Sequence, residues 1–428
     1  MLDLLVAGGT VLAPLAGTFQ RADLRIIGGT IAEIGPNLDG GALPVLNARD
    51  RLISPGWMDM HVHLREPGQE HKETIETGCR AAAAGGFTAV ACMPNTDPPI
   101  DSREVVHSII ERAANLPVDV YPIACVSRGR AGIDLTEMAE LADSGAVAFS
   151  DDGSPVQSSG LMRRALEYAR MCQRPIINHM EDLTMGPKGH MHEGLVSTRL
   201  GLKPVPALSE ESMVARDLML AELTGAHLHV AHVSTALSTD LIRGAKARGV
   251  RVTAEACTHH FALTDEAVES SGFSSDTKMH PPLRSAEDVA AIKSGLSDGT
   301  LDAICTDHAP HAPFEKEVEF CTAPYGIIGL ETAWGLTGTH LISPGTLSVA
   351  EAVRKVCVAP RRIFGLPVPE VAVGASANLT VFDATTEWTF TRENICSKAR
   401  NTPFIGSIMT GRVWAIYNHG QLVKSNSS

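Results

Sequence analysis

Residues 58–68 read MDMHVHLREPG, and this stretch, answered by ICTDHAPH at 304–311, organises the chain. In each, an apolar run ends in a burst of ligand-type side chains: Asp59, His61 and His63 in the first, Asp307, His308 and His311 in the second. Read as a strand, 57–63 sends alternate side chains to opposite faces, so His61 and His63 share one. Imidazole is a good ligand for a borderline divalent metal. The pair reads as half a metal site.

Working outward, seven more apolar pieces follow: FTAVACM, VDVYPIA, AVAFS, PIINHM, AHLHVAHV, VRVTAEA and LDAICTD. The stretches between them, such as KETIETGCRAAAAG, SGLMRRALEYARMCQ and EESMVARDLMLAELTG, have helical composition. With the segment before His61 this makes eight candidate strands, the count of a (β/α)₈ TIM-like barrel. A doubly wound open sheet fits the same alternation. The barrel is favoured because polar residues repeatedly follow the apolar cores, at the carboxyl side where barrel enzymes assemble their sites.

Those polar positions are His61 and His63 after strand one, Asp151 and Asp152 after strand four, His179 on strand five, His232 after strand six and Asp307 after strand eight. Four imidazoles and two carboxylates form the ligand complement of a two-metal hydrolytic centre. Each member has a plainer reading. His227 and His229 alternate on the strand of His232 and read as interior or supporting histidines. The Asp151-Asp152-Gly153 run is also a turn signal. His190 and His192 in MGPKGHMHEG read as a mobile surface loop, and His259 and His260 read as support for the rim or for a substrate pocket.

The chain has 428 residues, 44% hydrophobic and 20% charged, which allows a large core and more than one domain. A net charge of -13 without a Lys/Arg run argues against nucleic acid as a partner. There is no basic leader and no membrane-length apolar stretch, so a soluble cytoplasmic protein is expected. Nine cysteines form no framework, and several, including Cys92, Cys257 and Cys305, sit in apolar segments and read as buried thiols. Residues 1–53 and 368–428 share a texture of short alternating segments, with Gly28-Gly29 splitting DLRIIGGTIAEIG as a hairpin. One small composite β domain built from both ends is expected, around a catalytic barrel at 54–367.

HVHLREPGQEHKETIETGCRAAAAGGFTAVACMPNTDPPID, then AFSDDGSPV, TDHAPH and GIIGLETA, resemble the class I dihydroorotases of the amidohydrolase superfamily. The resemblance runs over essentially the whole chain. It implies two zinc ions per subunit and the interconversion of N-carbamoyl-L-aspartate with L-dihydroorotate. It also implies a cytoplasmic homodimer, in some relatives associated with aspartate carbamoyltransferase. By resemblance His61, His63 and Asp307 hold the first zinc, and His179 and His232 the second. Related amidohydrolases bridge the metals with a modified lysine after strand four, but no lysine occurs between Lys72 and Lys188. In the class I dihydroorotases an aspartate replaces it, and the resemblance implies that Asp152, 27 residues before His179, takes the bridging place, with Asp151 as the runner-up.

Ring opening needs a group that takes a proton from water and passes it to the leaving nitrogen, and Asp307 is the candidate. The substrate's free carboxylate calls for a planar bidentate donor: Arg65, helped by Asn95 and His311. Backbone of Pro324, Tyr325 and Gly326 resembles the part that reads the ring edges. His280 stands in KMHPPLR where the family shows asparagine, and is expected to line the pocket and retune it. The alternatives are a related cyclic amidase acting on hydantoins or allantoin, and a silent scaffold for aspartate carbamoyltransferase. Such scaffolds lose metal ligands, whereas every ligand position here is filled.

Overall fold

The computed structural model describes residues 1–425. Eight parallel strands form one sheet in chain order: β1 Trp57–Val62, β2 Phe87–Cys92, β3 Asp119–Ala124, β4 Ala148–Phe149, β5 Ile176–Asn178, β6 Leu228–Val230, β7 Val252–Cys257 and β8 Ala303–Cys305. Every residue of β1 and β2 is buried, as expected for strands covered on both faces. The ladders of β4, β5, β6 and β8 are shorter than the apolar runs suggest. The chain leaves the sheet early at their carboxyl ends, and this frees the following polar residues to turn onto the rim.

The barrel closes without a full ladder between β8 and β1. Instead His63 N–H donates to the His308 carbonyl at 2.8 Å, and Val62 bridges His308. Asp59 stitches the seam, accepting from Thr306 N–H at 3.3 Å and Thr306 Oγ1 at 2.6 Å. Burial pushes its carboxyl up to about 7, against the bonds from the Thr306 hydroxyl and the His61 amide. Asp59 is therefore a structural member of the HVH phrase.

Inside the barrel Met58, Met60, Ala89, Ala91, Ala148, Ile177, Ala231 and Cys257 pack together with Phe364. The outer layer is made by helices whose ends follow local rules. Ile75–Ala84 starts at a Thr74/Thr77 capping box. Leu208–Thr224 stops at Gly225, whose positive φ of 65° suits a left-handed cap.

The second sheet also has eight strands and draws on both chain ends. Leu52–Pro55 is its hinge, parallel to Leu4–Ala13 and antiparallel to Leu379–Thr389, with Val381 opposite Ile53. Leu4, Val6, Leu24 and Ile31 share its core with Leu379, Val381, Ala415 and Tyr417. Gly28 and Gly29, at φ 57° and 76°, make the hairpin turn between Thr18–Ile27 and Thr30–Gly35. Trp57, Trp334 and Phe382 pack ring against ring, with centroids 4.7 to 4.9 Å apart, and join this domain to the barrel. Among the described residues no helix is long and apolar enough to cross a membrane.

Candidate active site

A cavity of about 250 Å³ opens at the carboxyl ends of the barrel strands. His63, Arg65, Asn95, Asp152, His179, His232, His280, Asp307, His311, Pro324, Tyr325 and Gly326 all line it. His61 lies just beneath, fully buried. Residues separated by up to 265 positions in sequence thus meet in one place (61 to 326).

Asp152 is at the centre. Its Oδ1 stands 3.7 Å from His61 Nε2, His179 Nδ1 and His232 Nε2, and its Oδ2 3.7 Å from His63 Nε2. These gaps are too long for hydrogen bonds. They are near the roughly 3.4 Å that separates two ligand atoms on one zinc-sized cation. Asp307 Oδ1 lies 2.9 Å from His63 Nε2 and 3.5 Å from His61 Nε2. His179 Nδ1 faces His232 Nε2 at 2.9 Å.

The supporting bonds test whether these residues fit a metal. His61 Nδ1 donates to Glu255 at 2.6 Å, and His63 Nδ1 donates to Asn95 Oδ1 at 2.8 Å. In the neutral rings each Nε2 then carries a lone pair aimed at carboxylate oxygens, a clash that a cation resolves. His61 Nε2 and Asp152 Oδ1 are buried and without a hydrogen-bond partner among the described residues. The same demand for positive charge raises His61. Burial disfavours its charged form, but Glu255, Asp307 and Asp152 outweigh this and hold the pKa at about 10. Asp152 and Asp307 are held well below the usual carboxylate range against burial, the first by His179 and His232, the second by His61 and His63. The donor set fits divalent metal.

Among the groups of side chains whose ligand atoms lie within 4.8 Å of one another here are His61, His63 and Asp307, then His61, Asp152 and His232, and also His179, Glu181 and His280. Asp151, by contrast, turns away. It accepts from Val126 N–H at 2.9 Å and Ser127 N–H at 3.1 Å and so orients the loop after β3. His227 and His229 both bond the Thr253 hydroxyl, at 2.9 and 2.8 Å, below the rim. Met191–His192 pairs with Pro204–Val205 in a short sheet, with Met191 packed beside Phe320, so the HMH run is more firmly tied down than a surface loop. His260 donates to the Pro281 carbonyl at 3.1 Å and supports the rim.

Arg65 is only 7% exposed, and its Nε donates to the Pro310 carbonyl at 3.2 Å. No carboxylate among the described residues is within salt-bridge distance of its guanidinium, whose outer edge faces the cavity. Arg65, His232 and Asp307 all adopt positive φ, 62°, 32° and 49°, a costly conformation for residues with a Cβ and one that clusters at functional sites. Two residues escaped the sequence reading. Glu255, a lone acid in the apolar strand VTAEAC, holds His61. Glu181 takes His280 Nε2 at 2.5 Å and lies 3.4 Å from His179 Nε2. In both cases the signal was an acid placed in or beside an apolar strand.

A closed (β/α)₈ barrel with a composite β domain and a His/Asp cluster on its carboxyl rim defines an amidohydrolase. The "Dihydro-orotase-like" family model matches residues 50–238. "Dihydroorotase" of Pelotomaculum thermopropionicum is 52% identical over 422 residues, covering 99% of this chain and 98% of the relative. That of Anaeromyxobacter dehalogenans is 50% identical, covering 98% and 97%. The chain belongs to the dihydroorotase family. Among solved structures it is similar to the L-hydantoinase (dihydropyrimidinase) from Arthrobacter aurescens, with a TM-score of 0.87 and 24% identity over 100% of this chain and 97% of that one. The dihydropyrimidinase from Brevibacillus agri superposes with a TM-score of 0.84 at 22% identity, covering 99% and 95%. These two likenesses share the fold.

Proposed function

We propose that this protein is a dihydroorotase that reversibly cyclises N-carbamoyl-L-aspartate to L-dihydroorotate in pyrimidine synthesis. The observation that carries the reading is Arg65: a buried guanidinium in the cavity wall, without a carboxylate of its own. An uncharged cyclic amide gives such a residue nothing to bind, whereas a ring bearing a carboxylate completes it with a bidentate pair.

Two zinc ions held by His61, His63, Asp152, His179, His232 and Asp307 would supply Lewis-acid polarisation of the ring carbonyl and an activated water. The chain's own groups do the rest. Asp307, ionised across the ordinary pH range, accepts a proton from the attacking water and delivers it to the departing ring nitrogen. In the biosynthetic direction the same carboxyl protonates the oxygen that leaves as water. Asn95 is fixed by His63, which leaves its amide N–H groups for the substrate carboxylate beside Arg65. His311 is a neutral donor to the Tyr325 carbonyl at 2.8 Å, its pKa pushed down to about 2 by burial and then by Arg65, Lys316 and Lys72. It fixes the wall made by Pro324, Tyr325 and Gly326, where ring edges are read. His280, steadied by Glu181, stands edge-on to Tyr325 at 4.7 Å and narrows the same side.

The family resemblance supports a cytoplasmic homodimer, with aspartate carbamoyltransferase as the partner enzyme to test by co-elution. The deciding experiment is turnover of L-dihydroorotate against dihydrouracil and hydantoin by zinc-loaded protein. Strong preference for dihydroorotate is expected, and equal or better turnover of the uncharged rings would sink the reading.

A further inference from the structure

The segment 321–326, whose last three residues wall the cavity, is irregular backbone, yet five of its six carbonyls are captured by side chains. Lys278 Nζ donates to the carbonyls of Cys321 at 2.9 Å and Ala323 at 2.7 Å. Lys316 Nζ donates to those of Ser275 at 2.7 Å, Pro324 at 3.0 Å and Gly326 at 3.1 Å. His311 takes Tyr325, and Asn401 Nδ2 adds a second bond to Gly326 at 3.1 Å. The Gly326 amide in turn donates to the Lys278 carbonyl at 2.8 Å.

Both lysines are buried, 2% exposed at Lys278 and 6% at Lys316, and neither has a carboxylate within salt-bridge distance among the described residues. Removing an ammonium from water costs several kcal/mol unless its hydrogens are satisfied. Lys316 has three donors and three carbonyl acceptors, a complete set. Burial still pulls its pKa down to about 8, with Asp276 opposing and Lys278 adding to the fall. A second buried lysine held at about 8, Lys355, lies at the opposite end of the barrel and donates to Leu301 O at 2.7 Å. What distinguishes Lys278 and Lys316 is where their acceptors lie: Lys316 holds Pro324 and Gly326, which line the cavity, and Lys278 holds Cys321 and Ala323, which lead directly into them. Lys278 also lies under the Tyr325 ring, 4.7 Å from its centroid. Gly326 seals the packing, since at φ 105° an added Cβ would fall 2.6 Å from the Ala309 methyl.

We propose that Lys278 and Lys316 are positioning residues that staple 321–326 into its substrate-binding shape before substrate arrives, so that this segment is a preformed wall and not a closing lid. A wall ordered in advance spares the substrate the entropy of ordering it, so loosening it weakens binding more than chemistry. The assay arm of the test rests on the dihydroorotase reading, and the exchange arm does not.

Backbone hydrogen exchange over 318–328, and KM and kcat for L-dihydroorotate, are measured on zinc-loaded Lys316→Met and Lys278→Met, with Lys355→Met as control. Exchange in the wall is expected to speed up about tenfold and KM to rise about tenfold, with kcat within about threefold. Lys355→Met moves none of these. If Lys316→Met does not fold, Lys278→Met carries the same test. Unchanged exchange in the lysine variants, or kcat lost with KM intact, overturns the proposal. A wild-type protein without dihydroorotate turnover counts against the substrate reading, and the exchange result then decides the staple alone.

Discussion

The two ends of the barrel make an instructive pair. The carboxyl rim holds a cavity of about 250 Å³, whereas a larger one of about 460 Å³ sits at the amino end, lined by Leu15, His227, Thr253, Leu296, Lys355 and Ile363 among others. Both contain histidine, and β6 serves both, with His227 just before it and His232 just after. At the amino end His227 Nε2 and His229 Nδ1 share the Thr253 hydroxyl, while His229 Nε2, on the side towards the rim, lies 3.4 Å from Glu255 without a hydrogen-bond partner among the described residues. On the rim, nitrogen lone pairs face carboxylate oxygens, and Arg65 lacks a carboxylate. Volume does not mark the site; unmet chemical demand does.

The contrast is open to direct attack. The largest effect is expected at the rim, where Asp307→Asn keeps the shape but removes the proton carrier and one metal-facing oxygen. Turnover of dihydroorotate falls by about a thousandfold or more, and bound zinc measured by elemental analysis separates lost metal from lost proton transfer. Arg65→Met comes next. Its kcat/KM for dihydroorotate drops on the order of a hundredfold while that for dihydrouracil barely moves, since only the charged ring uses the guanidinium. An equal drop for both rings would break the carboxylate assignment.

His280→Asn restores the residue that the family shows and releases Glu181. A change in KM of about tenfold or less is expected, read against the wild type with both rings. At the amino end, Thr253→Val should leave activity within about twofold and lower stability by about 1 kcal/mol, because two imidazoles lose one shared hydroxyl. A large loss of activity there would erase the distinction between the two ends.

The smallest effect concerns pH. Burial, then His229 and Arg251, push His227 down to about 3 in the folded chain, against an ordinary 6.5. Between pH 6.5 and 3 the unfolded chain therefore binds more protons at this residue, so its contribution lowers stability as pH falls through that window. Denaturant unfolding of His227→Gln between pH 6.5 and 5 should show a shallower loss of stability than wild type, by up to about one proton in the slope.

Much of this was legible in the chain. The alternation of apolar and helical pieces gave the barrel, and the acids and histidines after the strands gave a rim cluster that the structure brings into one cavity. The choice between Asp151 and Asp152 was not legible by chemistry, since the residues are identical and adjacent. It follows from where the amides of Val126 and Ser127 stand, because they take up Asp151 and leave Asp152 to face the histidines. Asp59 looked like part of the site by its neighbours, but it closes the seam with Thr306, 247 residues away. Glu255 and Glu181 were passed over because an acid in or beside a strand carries no sign of its partner.

The sequence by itself determined the β/α order, the hairpin at Gly28-Gly29 and the chemical types available after each strand. Those depend on periodicity, local backbone preference and side-chain chemistry, which are written within a few residues. Only the tertiary structure decided which acids face the histidines and which carbonyls of 321–326 the buried lysines hold. It also decided the left-handed backbone of Arg65, His232 and Asp307. Each of these is a relation in space between segments far apart in the chain, and it exists only once the barrel has closed.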